Sequence, residues 1–141
     1  MAIDYATLER WRPRVLALLR IVTAYLFIQH GTAKLLGVPH LAMLDGVQLL
    51  SMAGIAGLLE IIGGALMLIG LFTRPTAFVL SGEMAFAYFI GHAGQGNVLV
   101  PMLNGGELAA LYCFIFLYFA VAGAGAWSVD AMRASSRRSA P

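Results

Sequence analysis

Four apolar stretches decide most of what this chain can become. They run over about Val15–Leu36, Met52–Phe72, Pro75–Gly94 and Gly106–Gly125. Each has about the 20 mostly apolar residues that an α-helix needs to cross a hydrocarbon core roughly 30 Å thick. In lipid every backbone polar group must be satisfied internally, which leaves only helices and closed barrels. Charged residues make up 11% of the chain, against roughly a quarter in soluble domains. The expected fold is therefore an all-α membrane protein, a four-transmembrane-helix bundle. Its 141 residues divide into an N-terminal segment over 1–14, one transmembrane domain over 15–131 and a disordered tail over 132–141. That leaves no room for a separate soluble catalytic module.

Basic residues precede the first stretch, as in a signal peptide, but it is long for an h-region and three more spans follow it. The connections then set an orientation. Arg10, Arg12 and Arg14 precede helix one, Arg74 joins helices two and three, and Arg133, Arg137 and Arg138 follow helix four. The 37–51 and 95–105 connections contain neither Lys nor Arg. The positive-inside rule places both termini in the cytoplasm and the two longer loops on the opposite side. The formal charge of +2 and the terminal arginines thus speak for topology rather than nucleic-acid binding. The 37–50 loop is apolar enough to lie along the interface. The single cysteine, Cys113, excludes an internal disulfide or a Cys-x-x-Cys redox pair.

The ionisable residues inside the spans are the informative ones. Helix one carries Arg20, His30 and Lys34, helix two Glu60, helix three Glu83 and His92, and helix four begins with Glu107. A charge at mid-bilayer costs about 2.5–3.5 kcal/mol even on the lenient insertion scale, so these groups should face inward and pair. Counting depth along each helix gives two layers. Arg20 with Glu83 forms an inner structural ion pair. His30, Lys34, Glu60, His92 and Glu107 form an outer polar cluster. Arg20, His30 and Lys34 share one face of helix one, and Ala53, Gly57, Glu60 and Gly64 share a small-residue face of helix two. Glu83 and His92 are nine positions apart, on opposite sides of a straight helix, which weakens the membership of His92.

Plainer roles compete. Asn104 and Glu107 have the spacing of a capping box for helix four. Lys34 can snorkel to the interface, and Glu60 with His30 can be a purely structural link. A metal held by His30, Glu60, His92 and Glu107 is chemically allowed, but no short ligand spacing supports it and none is expected. Gly82–Tyr88 and Gly106–Tyr112 share a G-E-x-A-x-x-Y pattern, which fits common bundle packing or a remnant of duplication.

Several strings occur together in order: Leu19-Arg20-Ile21, Phe27-Ile28-Gln29-His30-Gly31 and Lys34-Leu35; then Glu60-Ile61-Ile62-Gly63-Gly64 and Gly70-Leu71-Phe72-Thr73-Arg74; then Asn104-Gly105-Gly106-Glu107 with Leu111-Tyr112, Gly123-Ala124-Gly125 and Ser128-Val129-Asp130. In this combination the chain resembles the DoxX family over about residues 15–131. The resemblance implies a small four-helix protein of the bacterial cytoplasmic (inner) membrane, associated with quinone- or quinol-linked electron transfer or a membrane oxidoreductase complex. It implies partners in the bilayer, either other membrane subunits or further copies of the chain, and no nucleic acid. A quinone or quinol is the cofactor class it suggests, and no residue stands out as a cofactor ligand. The alternatives are a non-catalytic assembly subunit and, behind it, proton or small-molecule transport. Transport would need relay groups in both leaflets, and the inner side offers chiefly Arg20 and Glu83.

Overall fold

The computed structural model describes residues 4–138, and all regular structure among them is helical, with no strand. Helix α1, Tyr5–Leu36, starts well before Val15. Its N-cap is Asp4, whose carboxylate accepts the Ala6 amide at 3.3 Å, satisfying one of the orphan donors of the first turn. Pro13 lies inside this helix, and its carbonyl accepts the Ala126 amide at 2.8 Å.

Helix α2, Met52–Ile69, is capped by Ser51, whose hydroxyl accepts the Gly54 amide at 3.1 Å. It stops at Gly70 (φ +67°) rather than running on to Phe72, because a left-handed residue closes the last carbonyls and turns the chain away. Helix α3, Thr73–Phe86, holds Pro75 in its first turn, where the missing amide is not needed. It continues as a π-helical stretch over Ala87–His92 and a 3₁₀ turn over Ala93–Gln95. One helical turn, α4 (Pro101–Asn104), then precedes α5 (Glu107–Ala122) and α6 (Val129–Arg138).

Two expectations are corrected by these elements. Residues 132–138 lie in α6, not in a disordered tail, while residues 139–141 fall outside the described part. Asn104 does not cap helix four. It ends the short α4 turn, Gly105 (φ +71°) reverses the chain, and Glu107 is the first residue of α5 rather than its N3 position.

α1 packs along α2, α3 along α5, and α2 against α3. The shared core is Ala24 and Phe27 of α1, Met67 of α2, Ala77, Leu80 and Met84 of α3, and Tyr112, Phe116 and Phe119 of α5. The α1–α2 approach is close: a methyl group at Gly31 would stand 2.6 Å from the Gly57 carbonyl oxygen. Such contact is what small residues permit between helices in lipid.

The sorting of side chains is inverted relative to a water-soluble domain. Arg20 and Glu60 are buried at 0% and 2% exposure, while Leu18, Val22 and Tyr25 of α1, Ile62 of α2, Phe78 and Phe86 of α3, and Phe114 and Val121 of α5 face outward. An exposed apolar surface this extensive marks contact with lipid. α1 and α2 are long and apolar enough to cross a membrane, and α5 is a shorter apolar helix.

Candidate functional site

The polar interior resolves into three groups at different heights, not the two layers expected. At one end lies Arg20, fully buried. Its Nε donates to the Ala124 carbonyl at 2.9 Å, its two terminal nitrogens to Leu68 at 2.6 Å and Trp127 at 2.9 Å, and one of them also to Met67. Two of these acceptors are the last carbonyls of α2, which a helix leaves without intrahelical partners and which carry the negative end of its dipole. The fixed fork of a guanidinium can serve several such acceptors at once. The expected Arg20–Glu83 pair is therefore corrected. Arg20 is spent on backbone, and the acid nearest in effect is Asp130. Asp130 in turn accepts the Phe72 amide at 3.0 Å and the Thr73 amide at 2.8 Å, capping α3 from a distant part of the chain.

The middle group is built from three helices. Lys34 Nζ of α1 meets Glu60 Oε1 of α2 at 2.6 Å, with side-chain exposures of 20% and 3%. Lys34 thus turns inward and does not snorkel. Glu83 of α3 lies within electrostatic range of both Glu60 and Lys34. Among the described residues, Glu60 Oε2 and both Glu83 oxygens are buried without a hydrogen-bond partner. Tyr112 of α5 feels the Glu60 charge, and the exposed His30 packs edge-on against Tyr112 with ring centroids 5.9 Å apart. Behind Tyr112, Phe27 at 5.2 Å and Phe116 at 5.9 Å complete an aromatic wall. Glu60 is bonded to Lys34, and His30 borders the pair through its ring contact with Tyr112 and through the Lys34 charge one turn along α1.

The third group closes the other end. Asn104 Nδ2 donates to the Tyr88 hydroxyl at 3.2 Å and the Asn97 carbonyl at 3.1 Å, and its Oδ1 accepts the Gly106 amide at 2.9 Å. Tyr88 donates to the Val98 carbonyl at 2.7 Å, and His92 Nδ1 lies 3.2 Å from the Asn104 carbonyl oxygen. His92 therefore belongs to this loop-tying group and not to the Lys34–Glu60 cluster. Glu107 is exposed in the first turn of α5 and is likewise outside the cluster. Among the described residues no group of three His, Cys, Asp or Glu is placed to hold a metal ion.

Of the expected cluster, then, Lys34 and Glu60 come together, His30 stands at its border, and Glu83 joins from the supposed inner layer. Sequence reasoning passed over Glu83 and Tyr112 as cluster members. A signal for Glu83 was available. It follows Thr73 by ten residues, as Glu60 precedes Ile69 by nine, so both lie about 14–15 Å from the same tight turn at 1.5 Å per residue.

Residues 15–93, the segment that holds Arg20, His30, Lys34, Glu60 and Glu83, match the DoxX family. A protein of Haemophilus influenzae, described as uncharacterized, is 54% identical over 126 residues, which is 87% of this chain and 93% of the relative. The chain belongs to the DoxX family. No solved structure matches it. For this DoxX protein the match covers the three helices that supply Lys34, Glu60 and Glu83, and the inverted sorting of its side chains identifies it as a membrane protein in contact with the bilayer.

Proposed function

We propose that this DoxX protein is a four-span subunit of the bacterial inner membrane, with both termini cytoplasmic, that serves a quinone-linked oxidoreductase assembly. The observation that carries the reading is the exposed His30 ring set edge-on against Tyr112, beside the buried Lys34–Glu60 pair. A quinone headgroup needs an apolar, aromatic surface, a donor for a carbonyl, and a group that exchanges protons, all reachable from lipid. Tyr112, Phe27 and Phe116 supply the surface. His30 supplies a donor at the lipid-facing edge, and the Glu60 and Glu83 carboxyl groups supply proton exchange within the bundle. A bound quinone would contribute two-electron, two-proton chemistry. This chain's residues would hold the ring and take up or return protons, and the electrons would pass through a partner subunit, since Cys113 has no second thiol with which to form a disulfide.

The test is equilibrium binding of a ubiquinone or menaquinone analogue to the detergent-purified protein. Micromolar binding that His30→Ala weakens at least tenfold, with the fold intact by circular dichroism, supports the reading. A protein that neither retains nor binds an analogue, and that co-purifies with no oxidoreductase subunit, overturns it. A structural or assembly role is the second reading, and one observation favours it: Arg20 ties α1, α2 and the Ala124–Trp127 segment together through carbonyl contacts alone.

A further inference from the structure

We propose that the Lys34–Glu60–Glu83 set is a proton-binding site that holds one exchangeable proton on the Glu83 carboxyl. One cation faces two acids. The Lys34 ammonium is 2.6 Å from Glu60 Oε1, and Glu60 is 2% exposed. Both oxygens of Glu83, like Glu60 Oε2, are sealed from solvent and have no donor among the described residues. The groups within electrostatic range of these carboxyls are Lys34 of α1, the opposite acid on α2 or α3, and Tyr112 of α5. Among the described residues the other basic side chains of the bundle are engaged elsewhere, and the His30 ring, which feels the Lys34 charge, lies against Tyr112. The Arg20 guanidinium is held by carbonyls at one end of the bundle, and the His92 ring lies against the Asn104 carbonyl at the other.

If Glu60 and Glu83 were both ionised, the set would carry a net negative charge in an apolar bundle, with three carboxylate oxygens receiving no hydrogen bond. A buried carboxylate in that position neutralises itself by taking a proton. Glu60 keeps its charge because the ammonium bonds it directly, so the proton goes to Glu83. The protonated carboxyl also gains a donor, the O–H that the unpartnered oxygens lack. Uptake and release involve only this proton and need no electron carrier. The site therefore stands or falls separately from the quinone reading.

The experiment is infrared difference spectroscopy of the full-length protein in lipid at neutral pH, with H₂O exchanged for D₂O. A carbonyl stretch of a protonated carboxylic acid that shifts on deuteration, is lost in Glu83→Gln and survives in the Glu107→Gln control is the expected result, and Glu60→Gln, which frees Lys34 to pair with Glu83, should weaken it. Absence of any such band, or its survival in Glu83→Gln, overturns the proposal. Adding sodium or lithium chloride at constant pH supplies the competing outcome: loss of the band with added cation would make this a monovalent-cation site instead. Labelling with dicyclohexylcarbodiimide gives an independent readout. The carboxyl oxygen adds to the central carbon of the reagent and the carboxyl proton moves to its nitrogen, so the peptide gains the whole mass of the reagent. Labelling of the Glu83 peptide at least tenfold above the Glu107 peptide is expected, and equal labelling of the two counts against the site.

Discussion

At the scale of single residues, the interior of this protein is governed by which polar groups find partners. Lys34 is the only side chain that donates to the Glu60–Glu83 pair among the described residues. Removing it leaves two facing acids, and breaking a buried pair by deleting one partner costs about 3–5 kcal/mol. Lys34→Met should therefore lower stability by about 3 kcal/mol, and adding Glu60→Gln should recover more than half of the loss. Denaturant unfolding in detergent micelles measures both, and simple addition of the two losses would contradict the coupling. Arg20 makes a contrasting case. Arg20→Lys keeps the charge but cannot reach carbonyls of α2 and of the Ala124–Trp127 segment at once, so a loss of about 2–3 kcal/mol is expected from hydrogen bonds to a charged group. The types of these residues were legible in the sequence and their pairing was only partly so. Helix faces and depth grouped Glu60 with both His30 and Lys34 and singled out His30 as its link, whereas the bond is made to Lys34. Arg20 was matched to Glu83 because a search for opposite charges overlooks carbonyls, which are acceptors at every helix end and leave no mark in the sequence.

At the scale of elements, the boundaries were read best where backbone chemistry is local. Pro75 near the start of α3 and the glycine-rich end of α5 behave as their residue types require. The misreadings lie where tertiary contacts override local signals. Asn104 and Glu107 have capping-box spacing, yet Gly105 and the pull of Tyr88 on the Asn104 amide place the start of α5 later. The π-helical stretch over Ala87–His92 also breaks the straight-helix assumption used to rotate His92 away from Glu83. The small-residue face of α2 was anticipated in Gly57 and Gly64, while Ala53 is exposed and its neighbour Gly54 is buried. Gly31→Ala tests the α1–α2 seam. The added methyl would meet backbone at Gly57, which cannot swing aside, so a loss of about 1–3 kcal/mol is expected from overpacking; Gly82→Ala, where nothing lies within reach, should be tolerated.

α6 adds a pH dependence at the same scale. Burial alone raises the Asp130 carboxyl, but the Thr73 and Phe72 amides and the nearby Arg133 outweigh it and hold it below the ordinary aspartate range. A depressed carboxyl stabilises the folded state above the unfolded value and loses that contribution as pH falls through the folded value. The docking of α6 on the α2–α3 turn should therefore weaken below about pH 4, the ordinary aspartate value. Hydrogen exchange of the Phe72 and Thr73 amides would report it, and Asp130→Asn should abolish the pH dependence.

At the scale of the whole molecule, the question is how many helices cross. Helix α5 has 16 residues, about 24 Å at 1.5 Å per residue, which is short of a hydrocarbon core of roughly 30 Å. Local thinning of the bilayer or help from the flanking turns closes such a gap at modest cost. α3 with its π and 3₁₀ continuations covers residues 73–95 and is long enough. α3 and α5 supply six of the nine residues of the core they share with α1 and α2, so leaving them out of the membrane would place most of that core in water. Four crossings put Arg10, Arg12, Arg14, Arg74, Arg133 and Arg137 on one side, and the Lys- and Arg-free 37–51 and 95–105 segments on the other. Two crossings by α1 and α2 alone would put 95–105 on the same side as Arg74. Reporter fusions separate these arrangements. Alkaline phosphatase inserted in 37–51 or 95–105 should be active, and the same enzyme at the C-terminus inactive, with a fluorescent protein giving the opposite pattern. Phosphatase activity at 37–51 without activity at 95–105 would reduce the protein to two spans. Activity at the C-terminus would reverse the assignment of its basic end to the cytoplasm. The signal should follow charge as well as fold: replacing Arg10, Arg12 and Arg14 together with Gln should raise the share of inverted molecules, because the arginines before the first span carry most of the orienting bias.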